Sequence, residues 1–196
     1  MRRDKDNPDH VARILVDPCC GSGTILIEAA MMARNIAPGL NRKFAAMAWD
    51  FIPEELWNEE RQAAYNAVNY DSEVIIKGLN GKAIAAAMAN AMEAGVEEDI
   101  SFSRMDMRKF RADESNGIII TNPPYGERIG DKDAIHKIYA RLKEILEKDS
   151  TWSLFMITTD REVEKIFDRK ADRRRKLYNG RLQTTYYQFH GQKISK

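Results

Sequence analysis

What this chain lacks narrows it first. It has two cysteines in 196 residues, and they are neighbours, Cys19 and Cys20. Adjacent cysteines cannot staple distant segments together, and they do not match zinc-ligand spacing. No apolar run approaches the length of a membrane span. The opening Met1-Arg2-Arg3-Asp4-Lys5-Asp6 lacks the apolar stretch of a secretory signal. These absences point to a reducing cytoplasm. An excess of one charge is missing too: 31 Lys and Arg face 30 Asp and Glu, for a formal net charge of +1. So even a balance does not advertise a nucleic-acid binder. There is no internal repeat and no low-complexity tract. The three histidines, His10, His136 and His190, are scattered. No metal site is expected from them, and His136 reads as a structural residue of an amphipathic helix.

What remains is a globular composition, 43% hydrophobic and 31% charged, long enough for one domain with a substantial core. The first dozen residues are polar and read as loose. A strand is expected near 12–16 and a helix near 24–34. Residues 35–60 read as an irregular excursion, with Trp49, Phe51 and Trp57 anchoring it to the body. A helix follows from about Pro53 to Val68, with Glu54 and Glu55 where negative charge suits the helix dipole. Glu73 to Lys77 reads as the second strand, Gly81 to Ala94 as a helix capped by Gly95. Ile100 to Arg104 and Ile118 to Thr121 read as strands three and four. Asp133 to Glu147 carries Ile135, Ile138, Leu142, Ile145 and Leu146 at helical spacing. Trp152 to Thr158 gives strand five, and a short helix covers about 161–168. Arg174 to Tyr178 and Leu182 to Phe189 read as a hairpin around Asn179-Gly180. Strands alternating with helices indicate an α/β fold with an open, mostly parallel sheet.

Two stretches carry chemistry. Thr121-Asn122-Pro123-Pro124-Tyr125-Gly126 follows the β-branched run Ile118-Ile119-Ile120. Each proline fixes φ and removes an amide donor, and each pushes its predecessor towards extended geometry. The result is a stiff loop with uncommitted carbonyls and an aromatic ring at its end. Asn122 and a proline carbonyl can accept from a flat amine while Tyr125 stacks on its ring. The second stretch is Asp17-Pro18-Cys19-Cys20-Gly21-Ser22-Gly23-Thr24, between a strand and an apolar helix. Its glycines permit a tight turn and close ligand approach, and the helix start offers unpaired amides.

Together these stretches resemble the S-adenosylmethionine-dependent RNA guanine-N2 methyltransferases that carry a THUMP RNA-binding module. The branch acting on bacterial 23S rRNA is the nearest, through Asn35-Ile36-Ala37-Pro38-Gly39-Leu40, Ala48-Trp49 and Arg174-Arg175-Lys176-Leu177-Tyr178-Asn179-Gly180. The resemblance implies a Rossmann-like class I methyltransferase domain over residues 14–192, after a loose segment 1–13. Its sheet would have seven strands, the last antiparallel. S-adenosylmethionine is the implied cofactor and RNA the implied partner, ribosomal first and transfer RNA as the alternative. No membrane partner is expected. The THUMP module lies upstream in full-length members and is not among these 196 residues.

By resemblance, Asp17, Cys19, Gly21, Gly23 and Thr24 surround the cofactor's methionine part. Asp106, just past strand three, recognises its adenine. Asn122, Pro123, Pro124 and Tyr125 form the catalytic clamp, with Asn122 also near the cofactor. One departure stands out. Members of the family hold the ribose with acids at the end of strand two, where alignment places Gly78 and Asn80. An altered domain that binds cofactor weakly is therefore a second expectation. Glu127, Arg128 and Arg161 are candidates for touching RNA. The cations Arg169, Lys170, Arg173, Arg174, Arg175 and Lys176 could meet phosphate, although such runs are usually solvated surface. A nicotinamide-binding enzyme fits less well, because residues 21–26 read Gly-Ser-Gly-Thr-Ile-Leu rather than Gly-x-Gly-x-x-Gly.

Overall fold

Strands β1 (Ile14–Asp17), β2 (Ile75–Leu79), β3 (Ile100–Ser103), β4 (Ile118–Thr121), β5 (Ser153–Thr158), β6 (Arg173–Asn179) and β7 (Leu182–Phe189) form one seven-stranded sheet. The computed structural model describes residues 14–70, 75–79, 84–113, 115–125 and 131–192. The strand order is β3-β2-β1-β4-β5-β7-β6. The first five strands are mutually parallel, and β7 runs antiparallel to both β5 and β6. The expected mostly parallel sheet with a closing antiparallel strand is what forms.

Each face of the sheet is covered by helices, as buried parallel strands require. Helices α1 (Thr24–Ala33) and α3 (Ile84–Ala94) pack over β1–β3, with Leu26, Ala30, Ala87 and Ala91 fully buried against Ile76 and Ile100. Alanine faces let these two helices approach closely. Helix α4 (Asp131–Lys148) and the single turn α5 (Val163–Ile166) cover the other part. There Tyr139, Leu142, Ile145 and Phe167 meet Trp152, Leu154, Met156 and Phe189. Burying each such side chain stabilises by roughly 1.5–3 kcal/mol before entropy is counted. The apolar spacing of α4 and the strict in-out alternation of β5 are the local reasons for this packing.

Some boundaries move. β2 runs to Leu79 rather than Lys77, because Gly78 and Leu79 still pair with Phe102 and Ser103. The hairpin closes one residue later than expected. Asn179 pairs with Leu182, so the loop is Gly180-Arg181, and Gly180 takes φ +60. The residues read as the start of β2 and of α3 (Glu73, Val74, Gly81) lie outside the described residues, as do segment 1–13 with His10, and Glu127 and Arg128.

The excursion departs most. α2 (Glu54–Asn66) starts after Pro53 and buries none of its residues. Trp49 and Phe51 do not anchor it: they are 53% and 78% exposed and stack on each other with centroids 5.5 Å apart. Trp57 does turn inward, half-buried against Phe44 at 6.0 Å. Among the described residues, no helix is long and apolar enough to cross a membrane.

Candidate active site

β1 and β4 are neighbours and parallel, with Val16 opposite Ile119. Their ends therefore point the same way, and the glycine loop and the Asn-Pro-Pro-Tyr loop leave the sheet side by side. A buried bond joins them: the Thr121 hydroxyl donates to Asp17 Oδ1 at 2.8 Å. The Cys19 amide donates to the same oxygen at 3.0 Å. Asp17 is 1% exposed, and burial pushes its carboxyl up to about 6, against the pull of these two bonds. Burial first, and the neighbouring Asp17 second, push the Cys19 thiol up to about 12, so it stays protonated and packs as a small apolar group.

The glycine loop itself is built for approach. Gly21 has φ +54, and a Cβ there would meet no atom within 4 Å. Gly23 has φ +85 and caps α1 without a side-chain bond. A Cβ on Gly23 would sit 3.1 Å from that of Ala87, so glycine also lets α1 and α3 close up. The Asn90 amide fixes the loop by donating to the Ser22 carbonyl at 2.9 Å. Thr24 is exposed, its hydroxyl 3.2 Å from that of Ser22. The first amides of α1 thus face an open glycine turn, a setting suited to a polar or anionic group.

The clamp residues alternate in exposure. Asn122 and Pro124 are exposed, Pro123 is buried and Tyr125 half-buried. The Tyr125 hydroxyl is buried with no partner among the described residues. Asp106 stands past β3, where its own neighbour holds it. The Arg108 guanidinium donates to both carboxylate oxygens, and the Arg108 amide adds a bond at 2.9 Å. That side-chain bond above all pulls the Asp106 carboxyl down to about 2. Gly78 lies inside β2, and a Cβ there would come within 2.6 Å of Leu26 and 2.9 Å of Phe102. Its missing side chain points into the apolar layer. Asn80, the other ribose candidate, lies outside the described residues.

One part of the rim was not foreseen. Between the loops after β4 and β5 and the first turns of α4 lies a cavity of about 310 Å³. Tyr125, Ile135, His136, Tyr139, Asp160 and Arg161 line it. His136 is half-exposed and sets Nε2 3.2 Å from Asp160 Oδ2. The Glu162 amide donates to Asp160 Oδ1 at 2.8 Å. Ligand-type atoms of His136, Asp160 and Glu162 lie within 4.8 Å of one another, although their sequence spacing suggested no such group. The cation run is exposed along all of β6 and partly paired, Arg174 with Glu164 at 2.7 Å and Arg169 with Asp172 at 3.0 Å.

Known proteins are similar to this chain in sequence and fold. The family described as UPF0020, RMKL-like, methyltransferase domain, matches residues 9–188. YpsC of Bacillus subtilis, provisionally named an RNA methyltransferase, is 41% identical over 179 residues, covering 90% of this chain and 46% of that protein. The ribosomal RNA large subunit methyltransferase K/L of a Shewanella species (strain ANA-3) is 35% identical over 187 residues, covering 91% of this chain and 26% of that protein. Among solved structures, SMU.472, provisionally named a methyltransferase and complexed with SAH, superposes with a TM-score of 0.86 at 42% identity. That match covers 93% of this chain and 49% of SMU.472. The chain spans about half the length of YpsC and about a quarter of the Shewanella enzyme.

Proposed function

The chain belongs to the RMKL-like methyltransferase domain family, and on that premise we propose that it moves a methyl group from S-adenosylmethionine to the exocyclic N2 amine of a guanine in RNA, with large-subunit ribosomal RNA as the substrate. The observation that carries this reading is the buried Thr121–Asp17 bond, which ties the glycine loop to the Asn-Pro-Pro-Tyr loop at adjacent strand ends. A donor held by one loop and an amine held by the other would meet above that bond. SMU.472, built on the same fold at 42% identity, carries SAH.

The residues present fit such a cofactor. The open glycine at 21 and the uncapped start of α1 suit the amino-acid end, with Asp17, Cys19, Gly23 and Thr24 around it. Asp106 can accept from an adenine amine once Arg108 yields. Bound there, the cofactor supplies a methyl group on a sulfonium, a leaving group that needs no acid. The rest is alignment. Asn122 and the Pro123 carbonyl accept from the amine's hydrogens and so turn its lone pair towards the glycine loop. Pro123 and Pro124 keep these acceptors in place, because fixed φ angles remove the freedom to swing away. Tyr125 offers its ring to the base. The base must leave its stack to arrive. No strong general base is needed, since the amine loses its proton after it gains the methyl.

The test is mass mapping of methylated nucleosides after incubation of unmodified large-subunit rRNA with the protein and S-adenosylmethionine. N2-methylguanine is expected. Asn122→Ala is expected to lower kcat/KM by about 10²–10³-fold, the size seen when one preorganised donor or acceptor is removed. Near-normal turnover by that variant sinks the assignment. A second reading, a domain that holds cofactor weakly, draws on the neutral Asn80 and on the Arg108 grip of Asp106. Calorimetry with S-adenosylmethionine separates the two, because absence of heat at high concentration favours the second.

A further inference from the structure

The cavity beside Tyr125 is small and unevenly charged. At about 310 Å³ it holds a single planar base rather than a larger ligand. It lies on the far side of the clamp from the glycine loop, since β5 follows β4 in the sheet and Thr121 pairs with Met156. Ile135 and Tyr139 supply apolar wall, and Tyr125 a ring whose hydroxyl has no partner among the described residues. Asp160 and Arg161 supply opposite charges side by side.

We infer that Asp160 reads the Watson–Crick edge of the target base by accepting guanine N1–H, while Arg161 donates to guanine O6. This rests on the guanine reading above and names the residues that would enforce it. Asp160 is held through its backbone on two sides and through its carboxylate on two more. Its own amide donates to Thr158 Oγ1 at 3.1 Å, and its carbonyl accepts from the Tyr187 hydroxyl at 3.3 Å. The Glu162 amide holds one carboxylate oxygen and His136 the other. Behind them, the Tyr139 and Thr158 hydroxyls lie 2.8 Å apart. A side chain so fixed, yet 21% exposed, keeps acceptor directions open towards the cavity. An ionised carboxylate only accepts, and a guanidinium only donates. Guanine offers a donor at N1 beside an acceptor at O6, which matches that order. Adenine offers an acceptor at N1 beside a donor at N6, which reverses it. The pair therefore favours guanine and repels adenine with the same two groups.

Saturation-transfer NMR on the 196-residue protein with SAH tests this, using guanosine, inosine, 1-methylguanosine and adenosine at millimolar concentration. Guanosine and inosine keep N1–H; 1-methylguanosine has lost it. Both are expected to bind at least about tenfold tighter than the other two, the discrimination typical of one good polar contact. Asp160→Asn, which keeps size and shape, is expected to erase that preference. Arg161→Ala is expected to weaken guanosine and inosine alike while leaving the gap to 1-methylguanosine. Thermal melts check that Asp160→Asn is folded. A guanosine preference that survives Asp160→Asn overturns the role of Asp160 and leaves the guanine reading standing. Preference for adenosine overturns both. Equal binding of guanosine and 1-methylguanosine, or no transfer to any nucleoside, overturns the inference.

Discussion

Asp17 and Asp106 stand on the same rim of one sheet and are held in opposite ways. Asp17 is 1% exposed and bonded to a residue 104 positions away. Asp106 has a side chain 38% exposed and is bonded to a residue two positions away. Burial drives the first carboxyl up to about 6, and the Arg108 bond drives the second down to about 2. The contrast separates two kinds of work. At β1–β4 the buried acid is a strut that ties the two loops together. At β3 the acid is satisfied by an exposed surface arginine. On the proposed assignment, alignment is rigid at the reacting end and adjustable at the adenine end.

Gly78 tests the rigid side hardest. It is the β2 partner of Asp17 on one edge and of Phe102 on the other. If the position belonged to the cofactor, Gly78→Asp would restore a ribose contact and tighten binding. The structure argues otherwise, since a Cβ would meet Leu26 at 2.6 Å. Overpacking and a carboxylate forced among apolar atoms together are expected to cost about 3 kcal/mol or more, read by urea unfolding. A stable Gly78→Asp protein with tighter S-adenosylmethionine binding would move the position from core to site.

The pH dependence of stability sharpens the same comparison. For Asp17 the folded carboxyl titrates near 6 against an ordinary 3.8. The folded state therefore prefers the proton. Its contribution is fully present below the ordinary value and is lost as pH rises towards 6. From about pH 4 to pH 7 the wild type is expected to lose up to about 3 kcal/mol relative to Asp17→Asn, an upper bound from two pKa units. Asp106 has the other sign: its contribution is present above its ordinary value and fades only as pH falls towards about 2. Unfolding curves of both proteins at the two pH values check this. A constant gap between them would mean that Asp17 is solvated much as Asp106 is.

Short-range signals were legible where they matched short-range causes. The apolar runs gave β1, β4 and β5, the helical spacing gave α4, and the two loops stood out by their glycines and prolines. Contacts across distance were not legible. His136 and Asp160 are 24 residues apart with no shared spacing, so the cavity they line had no sequence signature. Trp49 and Phe51 suggested anchoring because aromatics usually seek a core. Here both stay exposed and stack on each other instead. Gly78 drew notice only as a missing acid, whereas the sheet shows what fills its place. The Asp106–Arg108 pair was readable in principle, from a spacing of two across a tight turn.

That pair supports the smallest effect, and the most diagnostic one. Exposed ion pairs contribute little to stability, so removing this one should leave the melting temperature almost unchanged. On the proposed assignment its effect belongs to binding. While Arg108 occupies both carboxylate oxygens, an adenine amine must displace it. Arg108→Ala removes that competitor, and the S-adenosylmethionine Kd is expected to tighten about two- to fivefold, the scale of an exposed pair. Asp106→Ala removes the acceptor itself and shifts the Kd the other way. Calorimetry on the two variants gives opposite signs if Asp106 is the adenine contact and Arg108 its placeholder. Weakening in both would place Arg108 among the groups that hold the ligand, and the β3 end of the rim would then be as fixed as the Asp17 end.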